Sequence, residues 1–369
     1  MASRDTIPIW LDVDTGHDDA FAILLAAHHP RLHLLGISTT FGNAPLAQTT
    51  QNTLSILTAI NRADIPVYAG ASKPFCRETW HAPEIHGQSG LDGTTCLPAP
   101  SVGVSGAGPA VAIDAMARAL WSTQQGTAYL ITTGALTNAA LLFTLHPSLP
   151  AHLAGVSIMG GALGGGFTDA PMGTVEGEGE RFGNFTPFAE FNVYVDPEAA
   201  RAVLENAEVR RKCTLVPLDV THLFLATERV LRGLREGFEA PVSASAGREI
   251  SPVRRLFLEI LTFFAKTYAD VFGITAGPPL HDPLAVAAVL MPEVFDDGGG
   301  ERFEVEVVID GPHGPEARRG ALGSQCGRTV ARKVRERGEG CRIPRGVDGD
   351  KVWRVLEECL TRAEEKAGW

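Results

Sequence analysis

Four aspartates fall within eight residues near the N-terminus, where an apolar segment runs into a helical one. The apolar stretch 7–11 precedes the sequence DVDTGHDD at 12–19, and the apolar run 20–25 follows it. Alternate residues of a strand share a face, so Asp12 and Asp14 are expected to point the same way. Gly16 permits a sharp turn into the next helix. The sequence therefore predicts a strand, a tight turn and a helix that begins at Asp18 and Asp19.

This acidic cluster is predicted to lie at a ligand site, because open α/β sheets bind ligands beyond the carboxyl ends of their strands. Strands are depleted in Asp, and two on one face of an apolar segment are costly to bury without a partner. Ca²⁺ or Mg²⁺ is the simplest partner, since both bind carboxylate oxygens. For Asp18 and Asp19 taken alone, capping of the helix start explains the residues equally well.

The composition is that of an ordinary globular protein, with 369 residues, 44% hydrophobic and 20% charged. No apolar run approaches the roughly 20 residues of a membrane helix, and the first residues lack the apolar region of a signal peptide. Six scattered cysteines without a CxxC pair favour free thiols over a zinc or disulfide framework. A net charge of −11 without a long Lys/Arg run argues against a nucleic-acid partner. We therefore expect a cytoplasmic protein with a small-molecule substrate and no membrane partner.

Short β-rich apolar runs alternate with helical patterns along most of the chain. The alternating segments are 32–41, 47–60, 66–70, 108–121, 127–134, 155–161, 197–206, 213–221 and 282–291. Residues 302–309 suggest an edge strand or hairpin, and 349–364 a closing amphipathic helix. This cadence predicts an α/β fold with an open, mostly parallel, Rossmann-like sheet and helices on both faces. We expect one domain over 1–369, with a Gly-rich insertion at 161–184 and an irregular segment at 311–348.

Polar residues follow several of the predicted strands and are expected to assemble at one rim of the sheet. Glu190 and Asn192 are predicted to share a face, and such a carboxylate and amide can hold sugar hydroxyls, while Asp196 caps the next helix. His281 and Asp282 join a candidate proton donor to a candidate metal ligand at a helix start.

These motifs together resemble the inosine-uridine-preferring nucleoside hydrolase family, whose enzymes cleave the N-glycosidic bond of ribonucleosides. The resemblance covers nearly the whole chain and implies the nucleoside hydrolase fold. Its motifs are DxDxGxDDA at 12–20, TTFGN at 39–43, IHGxxGLDG at 85–93, TGxLTN at 133–138, MGG at 159–161, GN at 183–184, AEFN at 189–192, LDVTH at 218–222 and HDP at 281–283.

The resemblance also implies one tightly bound Ca²⁺ per subunit and a ribonucleoside substrate. The metal would be held by the side chains of Asp14, Asp19 and Asp282 and by the main-chain carbonyl of Thr133. Such a mixed oxygen set suits the roughly six to eight ligands of Ca²⁺. The residues expected to grip the ribose are Asp18, Asn43, Met159, Asn184, Glu190 and Asn192. The resemblance further implies a homodimer or homotetramer.

Asp14 is implied as the general base and His281 as the acid that protonates the leaving base, with His86 as a second candidate. Cleavage of an N-glycosidic bond builds positive charge on the ribose, so carboxylates and amides around the sugar stabilise that charge as it forms. We expect direct attack by water with inversion. Asp12 is expected to support the site, and His17 and His222 to pack.

Two departures from the family pattern stand out. Thr15 lies at a position where family members commonly have Pro, and this difference is expected to lower only the rigidity of the turn. The insertion at 161–184 lies between two ribose-binding motifs, and we expect a mobile lid there rather than a tolerated surface loop.

Two other functions stay open from the sequence. One is a haloacid-dehalogenase-like, Mg²⁺-dependent phosphatase, whose DxDx[TV] motif also ends a strand, although Gly16 replaces the Thr or Val. The other is a ribose- or nucleoside-binding protein without catalysis. Base preference is also open, with uridine, inosine or broad specificity expected. The candidate stacking residues are Trp80, Phe167, Phe185, Phe191 and Tyr268.

Overall fold

The computed structural model describes residues 6–176, 179–239, 249–314, 323–335 and 339–369. Its centre is a seven-stranded sheet in which all neighbouring strands are parallel. Its strands are β1 (Ile7–Val13), β2 (Leu32–Thr39), β3 (Val67–Ala69), β4 (Gly106–Ala107), β5 (Tyr129–Thr132), β6 (Gly155–Met159) and β7 (Cys213–Val216). Their order across the sheet is β4-β3-β2-β1-β5-β6-β7. The predicted open parallel sheet is confirmed.

Helices cover both faces of this sheet. They are α1 (His17–His28), α2 (Leu46–Ala59), α3 (Pro83–His86), α4 (Pro109–Trp121), α5 (Thr137–Leu145), α6 (Leu149–His152), α7 (Phe191–Val195), α8 (Pro197–Leu204), α9 (Ala207–Lys212), α10 (Leu218–Thr221), α11 (Glu228–Glu236), α12 (Pro252–Phe272), α13 (Asp282–Leu290) and α14 (Gly349–Lys366). Residues of α1, α12, α13 and α14 form one apolar core with Ile9 and Leu11 of β1. Residues of α4, α5 and α8 form a second core with Trp10. Successive side chains of β1 point to opposite faces of the sheet, so the strand contributes residues to both cores.

Two short antiparallel pairs lie outside the main sheet. β8 (Phe295–Asp296) pairs with β11 (Gly346–Val347), and β9 (Phe303–Val307) pairs with β10 (Thr329–Lys333). The alternating segment at 302–309 is thus half of a separate ladder, and β11 lies in a stretch expected to be irregular. Parts of the insertion expected at 161–184 and of the irregular segment expected at 311–348 lie outside the described residues.

The structure corrects one local prediction, that Glu190 and Asn192 share a face of an extended segment. Helix α7 begins at Phe191, and Glu190 is its N-cap: the Glu190 carboxylate accepts hydrogen bonds from the backbone N–H groups of Asn192 and Val193. The free N–H groups at a helix start attract a carboxylate, and this preference overrides the strand pattern. Asp196 caps α8 through the N–H of Ala199, as predicted.

Within the described ranges, no helix is both long enough and apolar enough to cross a bilayer.

A buried arginine joins three helices near the C-terminus. The Arg254 side chain in α12 is 8% exposed and pairs with Glu357 at 3.3 Å and Glu364 at 2.6 Å, both in α14. It also donates to the carbonyl of Leu234 in α11. One guanidinium therefore fixes the positions of α11, α12 and α14.

We predict that Arg254→Ala lowers the free energy of unfolding by about 3–5 kcal/mol, because two poorly hydrated carboxylates lose their guanidinium. Arg229→Ala is the matched control, since Arg229 pairs with Asp350 at side-chain exposures of 59% and 61%. That substitution is expected to cost no more than about 1 kcal/mol. Urea unfolding followed by circular dichroism measures both values, and equal losses would contradict this account of the helix junction.

Candidate active site

Four buried carboxylates meet beyond the carboxyl end of β1. Asp14 directly follows the strand, Asp18 and Asp19 lie in the first turn of α1, and Asp282 begins α13. None of these residues is more than 4% exposed. Oxygens of Asp18, Asp19 and Asp282 lie within 4.8 Å of one another. The fold therefore brings Asp282, which is far along the chain, beside the N-terminal acidic cluster.

The electrostatics of this cluster are unfavourable in the absence of a cation. Burial raises the pKa of Asp14 and Asp282 well above the usual range, and repulsion from the neighbouring carboxylates raises it further. Burial, followed by repulsion from Asp19, raises the pKa of Asp18 to about 7. The cluster must therefore take up either protons or a positively charged ligand.

The donor set fits a hard cation. Asp14 Oδ1 and Asp18 Oδ1 are buried and have no hydrogen-bond partner among the described residues. Asp14 Oδ2 accepts a hydrogen bond from the backbone N–H of Asn43 at 2.8 Å. The space around Asp14 is kept free by two glycines: a Cβ at Gly42 would lie 1.9 Å from Oδ2, and one at Gly134 would lie 2.9 Å from Oδ1.

Thr133 and Asp19 are in direct contact, and two ligands of one metal ion must lie close together. The Thr133 hydroxyl donates to Asp19 Oδ1 at 2.8 Å, and the N–H of Gly16 donates to Asp19 Oδ2 at 2.8 Å. The Thr133 carbonyl accepts from Asn192 Nδ2 at 2.8 Å, which leaves that oxygen a second lone pair.

Asp12 lies behind this cluster and joins neighbouring strand ends. Its Oδ1 accepts from the hydroxyl of Ser38 in β2 and from Asn138 Nδ2, the latter at 2.8 Å. Asn138 Oδ1 in turn accepts from the N–H of Ala71 at 2.9 Å. This position fits the supporting role expected of Asp12.

A cavity of about 370 Å³ opens at the carboxylates, with Asp18 and Asp282 in its wall. All the residues predicted to bind ribose line this cavity, together with both candidate acids: Asp18, Asn43, Met159, Asn184, Glu190, Asn192, His86 and His281. Side chains from segments far apart in sequence therefore converge on one space.

Most of the predicted stacking residues also line the cavity, namely Trp80, Phe185, Phe191 and Tyr268. Phe167 does not line it and packs against Phe303, with ring centroids 5.7 Å apart. Sequence reasoning missed Phe264, Val271 and Phe272 of α12, which line the cavity beside Tyr268. Their spacing places them on one face of a helix, and that periodicity was the available signal.

His281 is held between two hydroxyl groups. Its Nδ1 lies 2.7 Å from Thr221 Oγ1, and its Nε2 lies 2.6 Å from the Tyr268 hydroxyl. Burial and the neighbouring His222 lower the pKa of His281 well below its usual value. If His281 gives a proton to the leaving base near neutral pH, that proton is expected to come from an uncharged ring N–H.

His86, the second candidate acid, is also buried. Its Nδ1 lies 3.2 Å from Nδ1 of His17, and burial lowers its pKa well below the usual value. His17 stacks on Phe263 and Phe264 at centroid distances of 4.9 and 5.4 Å. His17 therefore has the packing role that was expected.

The fold and the site together define an α/β enzyme with a carboxylate-lined cavity for a small ligand. The sequence profile of the inosine-uridine preferring nucleoside hydrolases matches residues 9–354. The chain belongs to this family, and it is accordingly a ribonucleoside hydrolase that acts on N-glycosidic bonds. This assignment sets aside the phosphatase and the non-catalytic binding protein.

Individual relatives agree with the family assignment. The uridine nucleosidase of Saccharomyces cerevisiae is 43% identical over 287 residues, which cover 77% of this chain and 76% of the relative. The pyrimidine-specific ribonucleoside hydrolase RihA of Escherichia coli is 38% identical over 289 residues, covering 78% and 81%. A purine-preferring ribonucleoside hydrolase structure from Gardnerella vaginalis has a TM-score of 0.76 at 23% identity and covers 97% of this chain and 99% of that one. That last likeness shows the shared fold.

We predict that Gly42→Ala abolishes most of the activity while leaving the protein folded, because the new Cβ would displace the Asp14 carboxylate. A displacement of about 1 Å at a reacting group can cost about 100-fold in rate. Gly103→Ala is the matched control, because nothing lies within 4 Å of a Cβ added there. Initial rates on uridine and far-UV circular dichroism test the pair. Full activity in Gly42→Ala would show that the position of Asp14 is not critical.

Proposed function

We propose that the chain hydrolyses uridine to ribose and uracil, with Asp14 as the general base and Ca²⁺ in the carboxylate cluster. The observation that carries this proposal is the buried Oδ1 of Asp14, which has no hydrogen-bond partner among the described residues. The preference for uridine is supported by the names of two relatives, a uridine nucleosidase and a pyrimidine-specific ribonucleoside hydrolase. Inosine is the second candidate substrate, because the family description includes it.

The proposed Ca²⁺ ligands are Asp14, Asp19, Asp282 and the carbonyl of Thr133. An oxygen of Asp18 also lies within 4.8 Å of oxygens of Asp19 and Asp282. When bound, such a cation lowers the pKa of a coordinated water and binds hydroxyl groups.

Asp14 accepts the proton of the attacking water in this proposal. The N–H of Asn43 fixes one carboxylate oxygen at 2.8 Å and leaves the other available. A base that is already oriented needs no further ordering before proton transfer.

Glu190 and its neighbours stabilise the positive charge that develops on the ribose. The Glu190 carboxylate accepts from the N–H groups of Asn192 at 2.8 Å, Gly161 at 2.9 Å and Val193 at 3.1 Å. These three bonds hold a negative charge in the cavity wall, where the oxocarbenium-like ribose is expected to bind. The side chains of Asn43, Met159, Asn184 and Asn192 complete the ribose contacts.

The departing base accepts a proton or a hydrogen bond from His281, with His86 as the alternative donor. The Tyr268 hydroxyl lies 2.6 Å from His281 Nε2 and fixes the orientation of the ring. A cytoplasmic location, a homodimer or homotetramer, and a single domain over 1–369 stay predictions.

The direct test of the proposed function is a substrate panel. We expect the purified protein to release ribose from uridine, to lose this activity with a chelator and to regain it with Ca²⁺. Inosine, cytidine, guanosine and nicotinamide riboside define the base preference, and p-nitrophenyl phosphate is the control for phosphatase activity. Reducing-sugar assays and chromatography of the free base measure the products. Absence of riboside cleavage under all conditions would refute the proposal.

We predict that Asp14→Ala removes turnover and Ca²⁺ binding together, because this carboxylate serves both as base and as ligand. Isothermal titration with CaCl₂ and initial rates on uridine measure the two effects. Asp196→Ala is the matched control, since Asp196 is a buried aspartate that caps α8 outside the cavity. It should lower the free energy of unfolding by about 0.5–2 kcal/mol and leave both functions intact. Full turnover in Asp14→Ala would end the proposed mechanism.

The stereochemistry of the product is a further prediction. A single displacement by water inverts the anomeric carbon, so ribose should be released first as the α-anomer. Proton NMR of a fast reaction distinguishes the anomers before they equilibrate. Release of β-ribose, or a trapped covalent ribosyl-enzyme, would contradict direct attack by water.

A further inference from the structure

We propose that Arg181 binds the departing base and stabilises its negative charge, so that the cavity favours nucleosides whose base leaves as an anion. This inference rests on the proposed function. It gives the Gly-rich segment 161–184 a defined part in the reaction.

The described part of segment 161–184 is fastened at several points. The N–H groups of Leu163 and Gly164 donate to the carboxylate of Asp219 at 2.8 and 3.0 Å. Further along, the carbonyl of Pro171 accepts from His222 Nδ1 at 2.6 Å. These bonds join the segment to α10 and to the residue that follows it.

A second set of contacts fixes the segment to the C-terminal end of α12. The N–H of Thr174 donates to the carbonyl of Phe272 at 2.9 Å. A Cβ at Gly173 would lie 2.7 Å from that same carbonyl oxygen, so the two backbones are in close contact. The described part of the segment therefore contributes to the cavity wall, with the side chains of Val175 and Arg181 among the lining residues.

Arg181 is a buried cation in that wall. The residue is 9% exposed, and its Nε donates to the carbonyl of Gly183 at 3.0 Å. Its guanidinium carbon lies 5.3 Å from the centre of the Phe272 ring, within range of a cation–π interaction. Among the described residues that line the cavity, Arg181 is the only lysine or arginine.

The signs of four charged groups in the cavity wall match the charges that the reaction creates. Asp18, Glu190 and Asp282 are carboxylates among the predicted ribose and metal contacts, where positive charge develops on the sugar. Arg181 lies over the Phe272 ring, and Tyr268 and Val271 of the same helix also line the cavity, which gives a surface suited to a flat base. A base placed there would leave beside a cation.

The bond changes explain why a cation helps at this position. The C1′–N1 bond of uridine breaks, and both electrons pass to N1 of uracil. The water oxygen bonds to C1′, and Asp14 takes the water proton. Uracil has no basic ring nitrogen to protonate beforehand, so its charge spreads over N1, O2 and O4 until a proton arrives. Guanidinium N–H groups are well suited to bind such carbonyl oxygens.

Substituting Arg181 by methionine keeps an apolar side chain on Phe272 and removes the charge. We expect Arg181→Met to lower kcat/KM for uridine by about 100-fold, the usual loss for one donor to a developing anion. The loss should be smaller for 5-fluorouridine and smallest for p-nitrophenyl β-ribofuranoside, whose leaving groups are better. A plot of log kcat/KM against leaving-group pKa should therefore become steeper. Arg181→Lys should restore part of the uridine activity.

Arg345→Met is the matched control. Arg345 also lies over a phenylalanine ring, 4.2 Å from the centre of Phe167, and donates to the Phe167 carbonyl at 2.9 Å. It does not line the cavity, so its loss should leave the leaving-group slope unchanged.

Equal losses in Arg181→Met for all three substrates would assign Arg181 a structural role and overturn the inference. Unchanged activity of Arg181→Met on uridine would also overturn it. A wild-type protein that cleaves none of the ribosides contradicts the proposed function itself. The two failures are therefore distinguished within one experiment.

Discussion

The repulsion among buried carboxylates at the carboxyl edge of the sheet is the constraint on which this structure depends. Asp14, Asp18, Asp19 and Asp282 are each at most 4% exposed, yet two of their oxygens have no hydrogen-bond partner in the part of the chain that the structure describes. Such a cluster is stable only if it binds something positive. The cavity that opens beside it therefore combines carboxylates able to hold a cation with a wall of polar groups.

The parallel topology makes this arrangement possible. Adjacent central strands β1, β2 and β5 all end at one edge, which brings Asp14, Asn43 and Thr133 together from three parts of the chain. Glycine at 42 and 134 leaves room for the Asp14 carboxylate, and Asp12 joins the strand ends beneath it. The described residues of segment 161–184 and helix α12 form the other side of the cavity.

Much of this could be predicted from the sequence. Alternation of apolar runs and helical patterns predicted the parallel sheet, and ordered motifs predicted the family. Local geometry was harder, because Glu190 caps a helix through backbone N–H groups that residue alternation does not reveal. Phe264, Val271 and Phe272 of α12 were not predicted to line the cavity, because apolar residues at helical spacing are also typical of a protein core. The lowered pKa of His281 depends on burial and on His222, which only the folded structure brings beside it.

The central claim is that a cation, bound by the carboxylates, offsets their repulsion. Thermal unfolding of wild type and Asp282→Asn, each stripped of metal and then titrated with Ca²⁺, tests it most directly. The account predicts a crossing: without metal the variant has the higher Tm, because one buried charge is gone, and with Ca²⁺ the wild type has the higher Tm, because binding stabilises the folded state. A wild-type Tm that does not respond to Ca²⁺, with the variant less stable throughout, would contradict the claim.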